Sequence, residues 1–373
     1  MKSKEVFFTS FVFFIHFPTK IFSYFLTVDS NLISIFGFWL ATFLVWFLLA
    51  PFFIRLLYSL KMWKQIRENA TIGKAFEFFK LHVHKTGTPT MWWALILGTV
   101  FFMVLVSIIL QKFGFINNSL LNQQETYLSL FTLFTVWILG GVDDYMNIKN
   151  IGKTKGLSAK FKMIWLLIFA GLGAWWFYDK LGWSDILLKI PYLPGIELWY
   201  LFIPLFIFII VGAANSVNIT DGLDGLAGWL LLFAYSVYGY ITYDQWLFLL
   251  STLCVSISGA LIAFLWFNIK PAKFYMGDIW SLALWANLWL MALLTNTLAI
   301  LCIVGIIFIL ETLSVIIQLG SKKLRNGKKV FKIAPFHHHL EATGWSEETV
   351  VFRMWLVGMI LSVVAVIFYI IVR

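Results

Sequence analysis

Charge is what this sequence lacks most. Asp, Glu, Lys and Arg make up 12% of its 373 residues and hydrophobic residues 61%, and the mean hydropathy is +0.87. A soluble domain carries roughly 25% charged residues. A chain this poor in charge could not cover a water-facing surface, so its solvent is largely lipid. Cysteine is nearly absent as well. Cys254 and Cys302 both sit in apolar runs without metal-ligand spacing, which gives no basis for a disulfide framework and predicts two small buried hydrophobes. No internal repeat and no low-complexity linker interrupts the chain, and the expected organisation is one transmembrane domain over 31–373 behind a hydrophobic arm over 1–30. The arm starts like a signal peptide but has no small-residue cleavage site, so it reads as a retained segment at the membrane interface.

Long apolar runs are abundant. They lie near 31–58, 91–111, 127–142, 161–178, 197–217, 226–243, 246–265, 279–294, 297–319 and 349–372. A span needs about 20 apolar residues, so these predict an all-α polytopic membrane protein of about ten transmembrane helices. The loops between them alternate in character. Segments 59–90, 143–160, 266–278 and 320–348 are basic, whereas the opposite set holds only Lys112, Lys180 and Lys189. The positive-inside rule puts the basic loops in the cytoplasm and both termini outside. The net charge of +10 is therefore mainly a topology signal. Without a reader motif it does not predict a nucleic-acid partner.

Acidic residues are few, and their placement is informative. Asp143 and Asp144 end one apolar run, Asp221 and Asp224 sit in Asn218-Ile-Thr-Asp221-Gly-Leu-Asp224-Gly225, and Asp278 follows Met276-Gly277. All five fall at the basic-loop ends of spans. His337, His338 and His339 lie in the last basic loop. Each feature alone has an ordinary reading: a solvated helix cap, an interfacial turn, a polar loop. Together on one face, five carboxylates repel unless a cation sits among them. Hard oxygen ligands suit Mg²⁺ shared with substrate phosphates, and glycines in the 221–225 turn let the backbone approach a ligand. The combination points to phosphoryl chemistry. Glu311, inside a span, reads as a structural hydrogen-bonding group.

In order along the chain stand Gln65-Ile-Arg-Glu68, Lys85-Thr-Gly-Thr-Pro-Thr-Met91, Asp143-Asp-Tyr145, Lys155-Gly-Leu-Ser158, the 218–225 stretch, Phe264-Leu-Trp-Phe-Asn268, Pro271-Ala-Lys273, Met276-Gly-Asp278 and Ala334-Pro-Phe-His-His-His-Leu-Glu341. With these motifs the chain resembles the polyprenyl-phosphate N-acetylhexosamine-1-phosphate transferases of glycosyltransferase family 4. The three histidines and the Thr-Pro-Thr-Met stretch resemble the muramoyl-pentapeptide branch. The resemblance implies ten transmembrane helices in the bacterial cytoplasmic membrane with a cytoplasmic active site, and a homodimer. It also implies transfer of phospho-N-acetylmuramoyl-pentapeptide from UDP-N-acetylmuramoyl-pentapeptide to undecaprenyl phosphate, with Mg²⁺ as cofactor. By the same resemblance Asp278, with Asp221, would hold Mg²⁺, and Asp143 and Asp144 would bind or deprotonate the lipid phosphate. Asn218, Asp221, Asp224 and Asn268 would form the nucleotide and metal site, and Tyr275 would lie beside the nucleotide. His337, His338 and His339 would contact phosphate or sugar, with Lys85 and Lys162 near substrate charge. A donor of the UDP-N-acetylglucosamine type is the same-family alternative. A cation-binding transporter is the alternative from another class, but it expects its polar residues near mid-membrane.

The sequence departs from the family where Trp92, Trp93, Trp280 and Trp285 stand at positions the family fills with glycine. An indole in a glycine contact is expected to overpack it. One substitution type repeated at glycine sites suggests a codon that the host decodes as glycine; drift with compensation is the alternative.

Overall fold

The computed structural model describes residues 30–60, 62, 87–89, 93–148, 157, 159–179, 203–204, 207, 216–217 and 219–373. The expected arm over 1–30 lies outside this range except for the backbone of Ser30, as do Lys85, Asn218 and most of the apolar run 197–217. The described part is all helical: α1 (Ser30–Ser59), α2 (Trp93–Lys112), α3 (Gln124–Ile148), α4 (Ala159–Asp179), α5 (Leu226–Asp244), α6 (Phe248–Asn268), α7 (Asp278–Leu294), α8 (Leu298–Val304), α9 (Ile306–Leu324), α10 (Phe336–Ala342) and α11 (Glu347–Val372). Nine of the ten apolar runs coincide with these helices. By length and composition five of the helices can cross a membrane, and six if α8 and α9 count as one bent span. Three shorter apolar helices, at 98–112, 163–176 and 283–294, accompany them.

The core is α5, α6 and α7, and glycine sets how closely helices approach it. A Cβ on Gly259 of α6 would lie 2.6 Å from the Trp39 carbonyl oxygen of α1, and one on Gly358 of α11 would lie 2.6 Å from Leu230 of α5. Small residues allow this backbone approach, the usual device where lipid supplies no hydrophobic drive between helices. Facing outward, α1 and α11 present Phe36, Leu48, Phe52, Phe352, Ile360 and Ile371, an apolar rim suited to acyl chains. Cys254 is buried as expected, but Cys302 is exposed on α8. There the outside is apolar too, so burial was not required to keep the thiol out of water.

Two hydrogen bonds fix the direction of α5 against α7. The Tyr235 hydroxyl donates to the Leu284 carbonyl (2.9 Å), and Gln245 Nε2 donates to the Thr295 carbonyl (3.0 Å). Partners advance together, so the two helices run parallel and begin at the same face. The Asp221–Gly225 turn precedes one of them and Gly277 the other.

One expected span is corrected. The run 297–319 is two helices that meet at Gly305 with a 74° bend. Trp285 of α7 packs into the break: it is buried, its ring lies 4.5 Å from that of Phe308 at a tilt of 46°, and a Cβ on Gly305 would lie 2.6 Å from its Cη2. The expected overpacking at 285 is therefore absent, because the bend and a missing side chain at 305 make room. Trp92 lies outside the described residues, as do the side chains of Trp93 and Trp280.

Candidate active site at one membrane face

The turn ahead of α5 is held from three sides. Gly225 has φ 80, a left-handed conformation that favours glycine. Its N–H donates to Asn268 Oδ1 (2.9 Å), while Asn268 Nδ2 donates to the Phe274 carbonyl (2.8 Å). The Asn268 amide thus joins the 221–225 turn to the loop that leads into α7. The Ala272 N–H donates to Asp224 Oδ2 (3.1 Å), which fastens the same two segments a second time. Gly277 has φ 83 and releases the chain into α7, so that Asp278 begins the helix. First-turn N–H groups and the helix dipole at such a position favour anionic ligands.

The second side is α11. Ser346 caps it by accepting the Thr349 N–H (3.3 Å), and Glu347 follows in the first turn, where a carboxylate is favoured. Glu347 is buried; its Oε1 accepts the Asp224 N–H (3.1 Å), and its Oε2 pairs with Lys270 Nζ (3.1 Å). Lys270 also meets Glu348 (2.8 Å). Burial opposes the Lys270 charge, but the Glu348 and Glu347 carboxylates outweigh it and hold the pKa above the ordinary lysine value.

The third side is α10. A helix turns about 100° per residue, so three successive histidines cannot share one direction. His337 and His338 are buried and flank Gly222, where a Cβ would lie 2.3 Å from His337 Nε2 and 3.0 Å from His338 Nε2. His339 turns the other way: its Nδ1 accepts the Lys332 N–H (3.2 Å) and its ring packs against Phe331 (5.4 Å). Behind the pair, Glu311 accepts the His337 backbone N–H (3.2 Å) and its Oε2 lies 3.0 Å from His337 Nδ1, which bears out its reading as a hydrogen-bonding group.

Tyr275 lies at the rim, its N–H donating to the Pro89 carbonyl (2.9 Å). Burial raises its hydroxyl pKa, the Asp224 charge adds to this, and a hydrogen bond with Thr88 opposes it. The group is therefore protonated at neutral pH. Asp143 is buried near the end of α3, with Oδ1 accepting the Leu157 N–H (2.8 Å). Asp144, Lys162 and Asp278 belong to α3, α4 and α7, but their side chains lie outside the described residues, as do Lys85 and Asn218 entirely. Among the described residues no three His, Cys, Asp or Glu side chains form a metal-sized cluster.

The structure thus brings together Asp221, Asp224, Asn268, Tyr275, His337 and His338, with the backbone of Asp278 close by in sequence. It adds Glu347 and Lys270, which sequence reasoning missed; the Ser-Glu-Glu-Thr start of α11 carried only a helix-capping signal. A cavity of about 860 Å³ lined by Asp244, Asn296, Tyr369 and Arg373 opens at the other ends of α5 and α7, away from this chemistry.

A family model described as glycosyl transferase family 4 matches residues 126–296. The phospho-N-acetylmuramoyl-pentapeptide-transferase of Geobacillus sp. (strain WCH70) is 37% identical over 329 residues, covering 87% of this chain and 94% of the relative. The enzyme of the same name from Clostridium perfringens (strain SM101 / Type A) is 38% identical over 311 residues, covering 83% and 89%. That of Listeria innocua serovar 6a is 37% identical over 324 residues, covering 85% and 94%.

Proposed function

This chain belongs to glycosyl transferase family 4, among the phospho-N-acetylmuramoyl-pentapeptide transferases, and we propose that it makes lipid I in peptidoglycan synthesis. The reaction takes phospho-N-acetylmuramoyl-pentapeptide from its UDP-linked donor to undecaprenyl phosphate and releases UMP. An oxygen of the lipid phosphate forms the new bond to the sugar-bearing phosphorus, and the bond from that phosphorus to the UMP oxygen breaks. The observation that carries this reading is the 221–225 turn, held against Asn268, Glu347 and two buried histidines at the face where α7 begins with Asp278.

The residues divide the work by their chemistry. Asp143 and Asp144 would take the proton of the lipid phosphate or orient it. Asp278 and Asp221 are hard oxygen donors of the kind that suits Mg²⁺. Bound there, Mg²⁺ would neutralise the pyrophosphate charge. Asn268 and Asp224 hold the nucleotide-facing turn in shape, and by the family resemblance Asn218 would contribute to the same site. Tyr275 offers a hydrogen-bond donor and no base. His337 and His338 meet the donor's polar groups, and Lys85 and Lys162 its phosphate charge. His339 supports the loop. The site faces the cytoplasm, where the basic loops lie, and a homodimer is the family's expectation.

Purified protein given UDP-N-acetylmuramoyl-pentapeptide or UDP-N-acetylglucosamine, with undecaprenyl phosphate, tests this. UMP release from the first donor, abolished by EDTA and restored by Mg²⁺, is expected. Release from the second donor only would move the chain to the other branch of the family.

A further inference from the structure

We propose that Glu311 is a positioning residue for the transfer step: it fixes the tautomer and tilt of His337, so that Nε2 is the nitrogen offered to the sugar nucleotide across Gly222. The proposal deepens the reading above and rests on it only for the identity of the ligand.

Glu311 is 1% exposed and His337 is fully buried. Both carboxylate oxygens accept the His337 backbone N–H, at 3.2 and 3.3 Å, and Oε2 also lies 3.0 Å from His337 Nδ1. An ionised carboxylate only accepts, so facing Glu311⁻ Nδ1 carries the proton, and the residue is held at its backbone N–H and at one ring nitrogen. That leaves Nε2, which is buried and has no hydrogen-bond partner among the described residues. It sits against the α-carbon of Gly222, where any side chain would strike it at 2.3 Å. A buried polar atom left unmatched is costly, and an apolar side chain would have packed here without that cost. The arrangement is explained if the partner of Nε2 arrives with substrate. His338 shares the carboxylate contact: its Nδ1 lies 2.7 Å from Glu341 Oε2, its Nε2 lies on the same side of Gly222, and the two rings lie 4.0 Å apart. Two imidazoles, each held at Nδ1 by a carboxylate, turn their other nitrogens to one turn that already carries Asp221 and Asp224.

Two measurements on the full chain in lipid nanodiscs test this. The first is ¹⁵N NMR of the six histidines, with His337 identified by the signal lost in His337→Gln. The wild type should show protonated Nδ1, and Glu311→Gln should shift that signal. The second is a double-mutant cycle on UMP release. Glu311→Gln should lower kcat by at least about 10-fold with donor KM changed by less than about 3-fold. In the His337→Gln background the same change should cost less than about 2-fold. Glu311→Asp, which keeps the charge but withdraws it by one methylene, should fall between and serves if the glutamine variant does not fold. An unmoved His337 signal, or equal losses in both backgrounds, overturns the proposal and makes Glu311 a packing residue only. If the wild type releases no UMP from any UDP-sugar, the substrate reading fails, and the ring-proton measurement alone still decides whether Glu311 sets His337.

Discussion

Asp278 and Glu347 show how differently two acidic residues can be read. Asp278 stands in an apolar chain immediately after a glycine at φ 83, and both its rarity and the glycine are visible in the sequence. We expect Asp278→Asn to lower turnover by at least about 100-fold, the scale of losing a key electrostatic contact. Kinetics across a Mg²⁺ titration check this, and near-normal turnover at low Mg²⁺ would remove Asp278 from the site. Glu347 left no such trace. It lies 123 residues from Asp224, whose N–H it accepts, and locally it looks like any first-turn glutamate. Only the tertiary structure shows it joining Asp224 to Lys270. Glu347→Gln weakens both contacts at a buried position. Activity should fall, and the thermal-inactivation midpoint should drop by an amount equivalent to about 1–3 kcal/mol. An unchanged midpoint and rate would make the contact incidental. His337 and His338 could be separated from His339 only once the motif was placed on a short helix.

At the scale of elements, the apolar character and length of continuous runs located nearly every helix, because lipid demands the same run of residues whatever the neighbours are. The break at Gly305 escaped that logic. One glycine in an apolar run does not announce a 74° bend; the wedge that fills it, Trp285, is contributed by α7. A transporter would place ion-binding groups at such a break, whereas here an indole occupies it. This contact also tests how position 285 is decoded. If the residue is tryptophan, Gly305→Ala must displace its ring and should destabilise the protein by about 1–3 kcal/mol, read as a lower unfolding midpoint in detergent. If the host inserts glycine, only the Leu301 carbonyl, 2.8 Å from such a Cβ, still opposes the substitution, and the loss should be clearly smaller. Peptide mass spectrometry of the native protein at 92, 93, 280 and 285 settles the matter directly. Glycine at these positions is expected if a reassigned codon is the cause, and tryptophan at all four ends that idea.

For the whole molecule, transfer from a cytoplasmic nucleotide requires one face to carry both chemistry and positive charge. Parallel α5 and α7 start there, and the basic loops were assigned to that face from sequence alone. Single cysteines in 59–90 and 320–348, introduced with Cys254 and Cys302 replaced by serine, should react with an impermeant maleimide only after the membrane is opened. Labelling of intact cells would put the histidines on the side that lacks nucleotide. The central claim is the transfer itself, and the most direct measurement is mass spectrometry of the lipid formed. Protein, Mg²⁺, UDP-N-acetylmuramoyl-pentapeptide and undecaprenyl phosphate should yield undecaprenyl-pyrophosphoryl-N-acetylmuramoyl-pentapeptide and UMP in equal amounts. A wild-type preparation that is folded and yet forms no such lipid, while UMP is absent or released without it, would contradict the account.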